Sequence, residues 1–149
     1  MDQTSRVMYA TALLRISLGI MFVAHSFILK YRVYSLAGTA GYFESIGLPG
    51  ILAYIVFWAE LLGGLLLIAG VASRWVAAAL SPILAGAVWA HAGHGWVFSN
   101  EGGGWEYPLF LLVLAIVQVL LGDGALSLGA RLQLAGRLRS KPLQAARSH

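Results

Sequence analysis

The sequence predicts an all-α, polytopic membrane four-helix bundle with a short surface helix in its first outer loop. Three observations carry this. Of the 149 residues, 59% are hydrophobic and 11% are charged, whereas a soluble domain usually carries about 25% charged residues. Mean hydropathy is +0.78. Four apolar stretches, Val7–Leu29, Ile51–Val71, Trp75–Gly93 and Tyr107–Gly122, match or approach the roughly 20 residues that a helix needs to cross a bilayer. They leave no room for a separate soluble domain. One domain is therefore expected over residues 1–128, with helices at about 7–29, 51–71, 75–95 and 106–122, and a basic tail follows at 129–149.

The first span is long, contains Arg15 and lacks a small-residue cleavage site after it, so it reads as a retained helix rather than a signal peptide. In the loop that follows, "TAGYFESIGLP" offers Thr39 as a cap for a short helix whose Tyr42, Phe43 and Ile46 share a face, with Gly47 ending it. Such a helix would lie on the membrane surface or cover the end of the bundle. Pro49 can open the second span without losing a needed hydrogen bond. A tight turn at "VASRW" sends the third span back, and Pro82 inside it should bend it locally. "WEYP" opens the fourth, with Pro108 near its first turn.

Basic residues orient the bundle. With the N-terminus inside, cytoplasmic segments hold Arg6, Arg74, Arg131, Arg137, Arg139, Lys141 and Arg147, and outer segments hold Lys30 and Arg32. Both termini are expected to be cytoplasmic in a multi-pass membrane protein. The pI of about 9.8 then requires no nucleic acid; the partner it implies is anionic lipid. The chain has no cysteine, which excludes disulfides, iron–sulfur ligation and thiol redox chemistry by its own side chains.

Two charges fall inside spans. Arg15 and Glu60 each lie about 12–14 Å from the end of their helix at 1.5 Å per residue, near the middle of a hydrocarbon layer about 30 Å thick. Either charge alone costs about 2.5–3.5 kcal/mol to insert. Opposite charges at one depth on adjacent antiparallel helices suggest a structural ion pair, with Gly63 and Gly64 allowing close approach. The other reading is a proton or anion pathway.

The stretch "HAGHGWVFSNEGGGWEYP" gathers titratable and aromatic groups at one end of the bundle. His91 and His94 share a helical face at i, i+3. His25 stands at a similar height on the first span, and Glu106 opens the fourth. His25, His91 and Glu106 are candidate proton-handling groups. With His94, Trp105 and Tyr107 they form a candidate quinone site, because quinone reduction needs titratable groups beside a lipid-accessible apolar groove. Zinc or iron ligation and a haem held by His25 and His91 are further options, although the spacing is a weak metal signal and no haem-attachment motif is present. The competing view is that aromatic residues collect at membrane interfaces anyway and these histidines face headgroup water. The "EGGGW" glycines read as loop flexibility and fit no phosphate-binding pattern.

The segments "LLRISLGIMFVAHSFILK", "FESIGLPGILAYIVFWAELLGGLLLIAGVASR" and "GGWEYPLFLLVLAIVQVLLGDGALSL" resemble the DoxX family of small four-helix membrane proteins over about residues 10–128. The resemblance places Arg15, His25, Lys30, Glu60, Trp105, Glu106 and Tyr107 on the family's recurring polar positions. It implies a bacterial or archaeal membrane subunit of an oxidoreductase system, quinone-linked and associated with sulfur or oxidative-stress chemistry; because the sequence shows no cofactor-binding motif of its own, electrons are expected to come from a separate redox protein.

The leading expectation is therefore a redox-associated inner-membrane subunit with a quinone site at its outer end. The alternatives are a non-enzymatic anchor or assembly factor for a soluble redox enzyme, and a small transporter or lipid-binding protein that would need to oligomerise. Gly/Ala-rich faces would permit a homo-oligomer. Whether the chain catalyses anything by itself is left open by the sequence.

Overall fold

The computed structural model describes residues 1–132, and all regular structure among them is helical. Helix α1 spans Gln3–Val23 and runs on, without a break, as wider π-type turns over Ala24–Val33. Helices α2 (Leu36–Ser45), α3 (Ile51–Ala69), α4 (Ser73–His91, extended by a 3-10 turn at Ala92–His94) and α5 (Glu106–Leu121) follow. A further helical turn begins at residue 128. The expected basic tail lies, from residue 133 onward, outside the described residues.

The first helix starts earlier than apolarity alone suggests because Asp2 caps it. The Asp2 carboxylate accepts the Ser5 N–H at 2.8 Å, satisfying one of the orphan donors at the helix start and holding its own carboxyl below the usual carboxylate range. The short helix exists where it was expected, but its cap differs. Ser35, not Thr39, occupies the N-cap and accepts from Gly38 N–H at 3.1 Å. Thr39 sits inside α2, where its hydroxyl donates to the Ser35 and Lys30 carbonyls and ties α2 to the π segment. Gly47, with φ +84°, ends the helix as expected. Helix α4 continues through Pro82.

Three helical stretches are long and apolar enough to cross a membrane: Gln3–Val33, Ile51–Ala69 and Ser73–His94. Helix α5 is apolar but has 16 residues, about 24 Å at 1.5 Å per residue, against a hydrocarbon layer of about 30 Å. Helix α1 packs on α3, α3 on α4, α4 on α5, and α5 back on α1, which closes a ring. Leu18, Phe22, Leu67, Ala77, Leu80, Leu84, Leu111 and Ala115 form its core. The outer faces stay apolar: Leu13, Trp58, Phe110 and Leu120 are all more than half exposed. In water this surface would be an aggregation liability; against lipid tails it carries no desolvation cost.

Close approach of α1 and α3 depends on two glycines. A Cβ on Gly19 would lie 2.7 Å from the Gly64 carbonyl oxygen, and one on Gly64 would lie 2.8 Å from the Gly19 oxygen. Backbone cannot yield as a side chain can, so Gly19→Ala should force the helices apart. We expect a loss of about 1–3 kcal/mol, read as a lower unfolding temperature in detergent; an unchanged midpoint would refute the close packing.

Candidate functional site

The in-span charges are not paired with each other. Arg15 is fully buried, and its guanidinium donates to four carbonyls: Nη1 to Leu67 and Ile68 at 2.6 and 2.9 Å, Nη2 to Ala125 and Leu126 at 3.1 and 3.3 Å. The Ile68 carbonyl is one that the end of α3 leaves without a backbone partner, while Leu67 also accepts the Gly70 N–H at 3.1 Å. A cation there also meets the negative end of the helix dipole. Around this contact the chain knots tightly. Ser127 Oγ donates to the Gly70 carbonyl at 2.8 Å, and Asp123 accepts the Ser73 N–H at 2.8 Å, capping α4 from a distant segment.

Glu60 pairs instead with Lys30, whose Nζ lies 2.6 Å from Oε2, with side-chain exposures of 17% and 7%. The expected Arg15–Glu60 pair is thus corrected. The reason is register. Gly19 meets Gly64, which leaves Arg15 level with the last turn of α3, near Leu67 and Ile68, well away from Glu60. Lys30, from the π segment, reaches back towards Glu60 along the apolar wall, as long amphipathic side chains do. The sequence marked Lys30 as an outer basic residue and a recurring polar position but not as the partner of Glu60, because wide turns leave no trace in composition or periodicity.

His25 sits in the same π segment. Its ring stacks on Tyr107, with centroids 5.9 Å apart and planes at 21°. Its Nδ1 lies 3.1 Å from the Met21 carbonyl. A carbonyl only accepts, so in this contact Nδ1 is the donor and Nε2 is not engaged by it.

The loop between α4 and α5 forms a roof. Its stems are joined by Trp105 N–H to Gly95 O and Glu106 N–H to Trp96 O, both 3.1 Å, and Trp96 meets Trp105 edge-on at 4.4 Å. The "EGGGW" glycines are a geometric requirement rather than a flexible spacer. Gly102 and Gly103 have φ of +83° and +76°, and a Cβ on Gly104 would collide with the Trp96 and Val97 carbonyls. His91 Nδ1 bonds the Gly102 carbonyl at 3.0 Å, and its ring lies 5.9 Å from that of His94.

Beneath the roof opens a groove of about 440 Å³ lined by Trp96, Phe98, Glu106, Tyr107, Leu109, Phe110 and Val113. Glu106 Oε1 accepts the Phe98 N–H at 2.9 Å. Among the described residues, Oε2 accepts nothing, so it is available to a ligand. The expected convergence of three imidazoles is not what forms here. Glu106 and Tyr107 line the groove, with Trp105 edge-on to Trp96; His25 touches the groove only through Tyr107, and His91 and His94 pack on the glycine turn. Among the described residues, no three His, Cys, Asp or Glu side chains come together to hold a metal. The wall residues Trp96, Phe98, Phe110 and Val113 were missed, because aromatic residues beside a helix end look the same whether they line a groove or face headgroups.

These features define an integral membrane protein: a ring of apolar helices, buried charges bonded to carbonyls or to each other, and an open, largely apolar groove beneath the α4–α5 loop. The family model described as DoxX matches residues 10–93, more than half of the chain, and the protein belongs to the DoxX family. The matched stretch contains Arg15, His25, Lys30 and Glu60; Glu106 and the groove lie beyond it. The chain is similar to "Putative oxidoreductase CatD" of Bacillus subtilis (strain 168), being 40% identical over 78 residues, 52% of this chain and 56% of that one. It therefore spans just over half of that relative's length. No solved structure matches the chain.

Proposed function

We propose that this protein is a membrane subunit of an oxidoreductase system and that the groove beneath the 95–105 roof holds the ring of a membrane quinone. The groove carries the proposal. Its volume of about 440 Å³ falls within the range of about 300–1,000 Å³ typical of small-molecule sites. It is apolar along Leu109, Phe110 and Val113, where an isoprenoid tail would leave toward lipid, and polar at Glu106, where a quinone oxygen would sit. Glu106 Oε2 and Tyr107 would orient that oxygen and hand it protons. Electrons would come from a separate redox protein. Family membership and the name of the B. subtilis relative support the oxidoreductase link.

The proposed topology has α5 as a fourth, short span, residues 1–128 as the domain and both termini in the cytoplasm. The distribution of Lys and Arg supports it, and the groove then opens near the outer surface.

The test is the quinone content of protein purified in mild detergent from its native membranes. The parent should carry near-stoichiometric quinone, and Glu106→Gln with Phe110→Ala should lower retention about tenfold, equivalent to roughly 1.4 kcal/mol. Quinone absent from the parent, or retained equally by the variant, would overturn the assignment.

A further inference from the structure

The end of α4 carries a pair of imidazoles that the groove does not use. His91 closes the helix and His94 ends the 3-10 turn after it, and both are at least partly open to solvent. Their ring centres lie 5.9 Å apart with planes at 61°. An imidazole nitrogen binds a transition metal at about 2.0–2.1 Å, which puts the ring centre roughly 3 Å from the ion. Two imidazoles on one ion therefore stand no more than about 6.5 Å apart. This pair falls inside that reach.

The glycine turn holds both rings. His91 Nδ1 bonds the Gly102 carbonyl at 3.0 Å; that oxygen only accepts, so in the neutral ring Nδ1 is the donor and Nε2 carries the lone pair. A backbone carbonyl on one ring nitrogen is the usual outer partner of a metal-bound histidine, fixing the tautomer and making the other nitrogen a better base. His94 packs on the same residue. A Cβ on Gly102 would lie 2.9 Å from its Cδ2 and Nε2, so a larger residue there would displace the ring. Among the described residues, His91 Nε2 and the ring nitrogens of His94 have no hydrogen-bond partner. The local charge suits a cation as well. The pair sits at the negative end of the α4 dipole, no Lys or Arg occurs between Arg74 and Arg131, and the exposed Glu101 adjoins Gly102.

We propose that His91 and His94 bind a divalent transition-metal ion of the imidazole-preferring class, Zn²⁺ or Cu²⁺, through one ring nitrogen each, with water completing the coordination. Two protein ligands, against three in catalytic zinc sites and four in structural ones, make this an open and reversible site. That agrees with the lack of any three-ligand cluster among the described residues. No electron moves, and only coordination bonds form. A metal on His91 Nε2 polarises the ring and strengthens the Nδ1–H bond to Gly102, so occupancy stiffens the 95–105 roof. The site does not depend on the quinone reading.

The test titrates zinc chloride into the full, untagged chain in lipid nanodiscs by calorimetry. The parent should bind one Zn²⁺. His94→Gln, which leaves the His91–Gly102 bond intact, should weaken binding at least about tenfold, since even an outer-partner change costs about 10–100-fold. His91→Gln should do the same, whereas His25→Gln and His149→Gln should bind like the parent. With Cu²⁺ as the probe, electron paramagnetic resonance should count two nitrogens in the parent and one in His94→Gln. The Gly103 N–H, which donates to the Asn100 carbonyl at 2.8 Å, should exchange with deuterium more slowly when Zn²⁺ is bound. Should His91→Gln fail to fold, the exposed His94→Gln decides alone. No Zn²⁺ on the parent, equal binding without His94, or a one-nitrogen copper signal in the parent would each overturn the site. Gly103 exchange that ignores the metal would overturn its link to the roof.

Discussion

Glu60→Ala should destabilise the protein by about 3–5 kcal/mol, because it leaves the Lys30 ammonium unpaired in a nearly dry position. The exposures of 17% and 7% at Lys30 and Glu60 place this pair well outside the regime of surface salt bridges, which contribute about 0–1 kcal/mol. Most of the loss reflects the stranded charge and not the intrinsic strength of the pair. The double substitution Lys30→Met with Glu60→Leu should therefore recover most of it, since replacing both partners by apolar groups of similar volume is often neutral or stabilising. Folded yield and unfolding temperature in detergent, compared across both singles and the double, decide the matter. A double as poor as the singles would mean that the pair does more than neutralise charge.

Arg15→Leu should cost at least about 3 kcal/mol, and Arg15→Lys should recover little of it. One planar group serves four carbonyls on two separate segments, and hydrogen bonds to a charged donor contribute about 1.5–3 kcal/mol. An ammonium ion is a point charge that cannot span both carbonyl pairs at once. A Cβ on Gly70 would lie 2.5 Å from Arg15 Nη1, so the turn has been shaped around the guanidinium and a smaller head would rattle in it. The loss should appear first in proteolysis of the 122–127 segment, which Arg15 holds to α3, and then in the global unfolding midpoint. Full stability in Arg15→Lys would refute the two-segment clamp.

Both predictions concern residues that the sequence singled out, and both differ from what the sequence suggested for them. The all-α class and the order of the apolar helices were legible, because long apolar runs have few alternatives to a membrane helix. Gly47 as a stop and the close approach at Gly64 were legible for the same kind of reason: glycine has specific backbone uses. What could not be read was rotation and register. Estimating depth by counting residues from each apolar boundary placed Arg15 and Glu60 together. The boundary itself was wrong, since Asp2 starts α1 sooner and the π segment carries it on to Val33. A shift of a few residues moves a side chain by a full turn, about 5.4 Å, enough to exchange one partner for another. Arg15 also found partners that no side-chain search reveals, namely main-chain oxygens.

The candidate site divides in the same way. Glu106 and Tyr107, at the head of the fourth apolar run, line the groove. His91 and His94 were proposed for their chemistry, yet they pack on Gly102 and Gly103 and shape the turn that makes the roof. Sequence spacing brings residues to one end of a bundle. It does not say which of them face inward.

The four carbonyl bonds of Arg15, the Asp123 cap and the Ser127 bond give the two ends of this molecule unequal stiffness. At one end the backbone is stitched across three segments by side chains that are buried or nearly so. At the other, the roof over residues 93–102 is exposed along its length and rests on a few surface hydrogen bonds, the kind that open at little free-energy cost. The protein is built like a clothes-peg. Its sprung end stays shut, and under the proposed quinone reading the jaws are where a bulky molecule from the lipid would enter without loosening the joint that keeps the helices together.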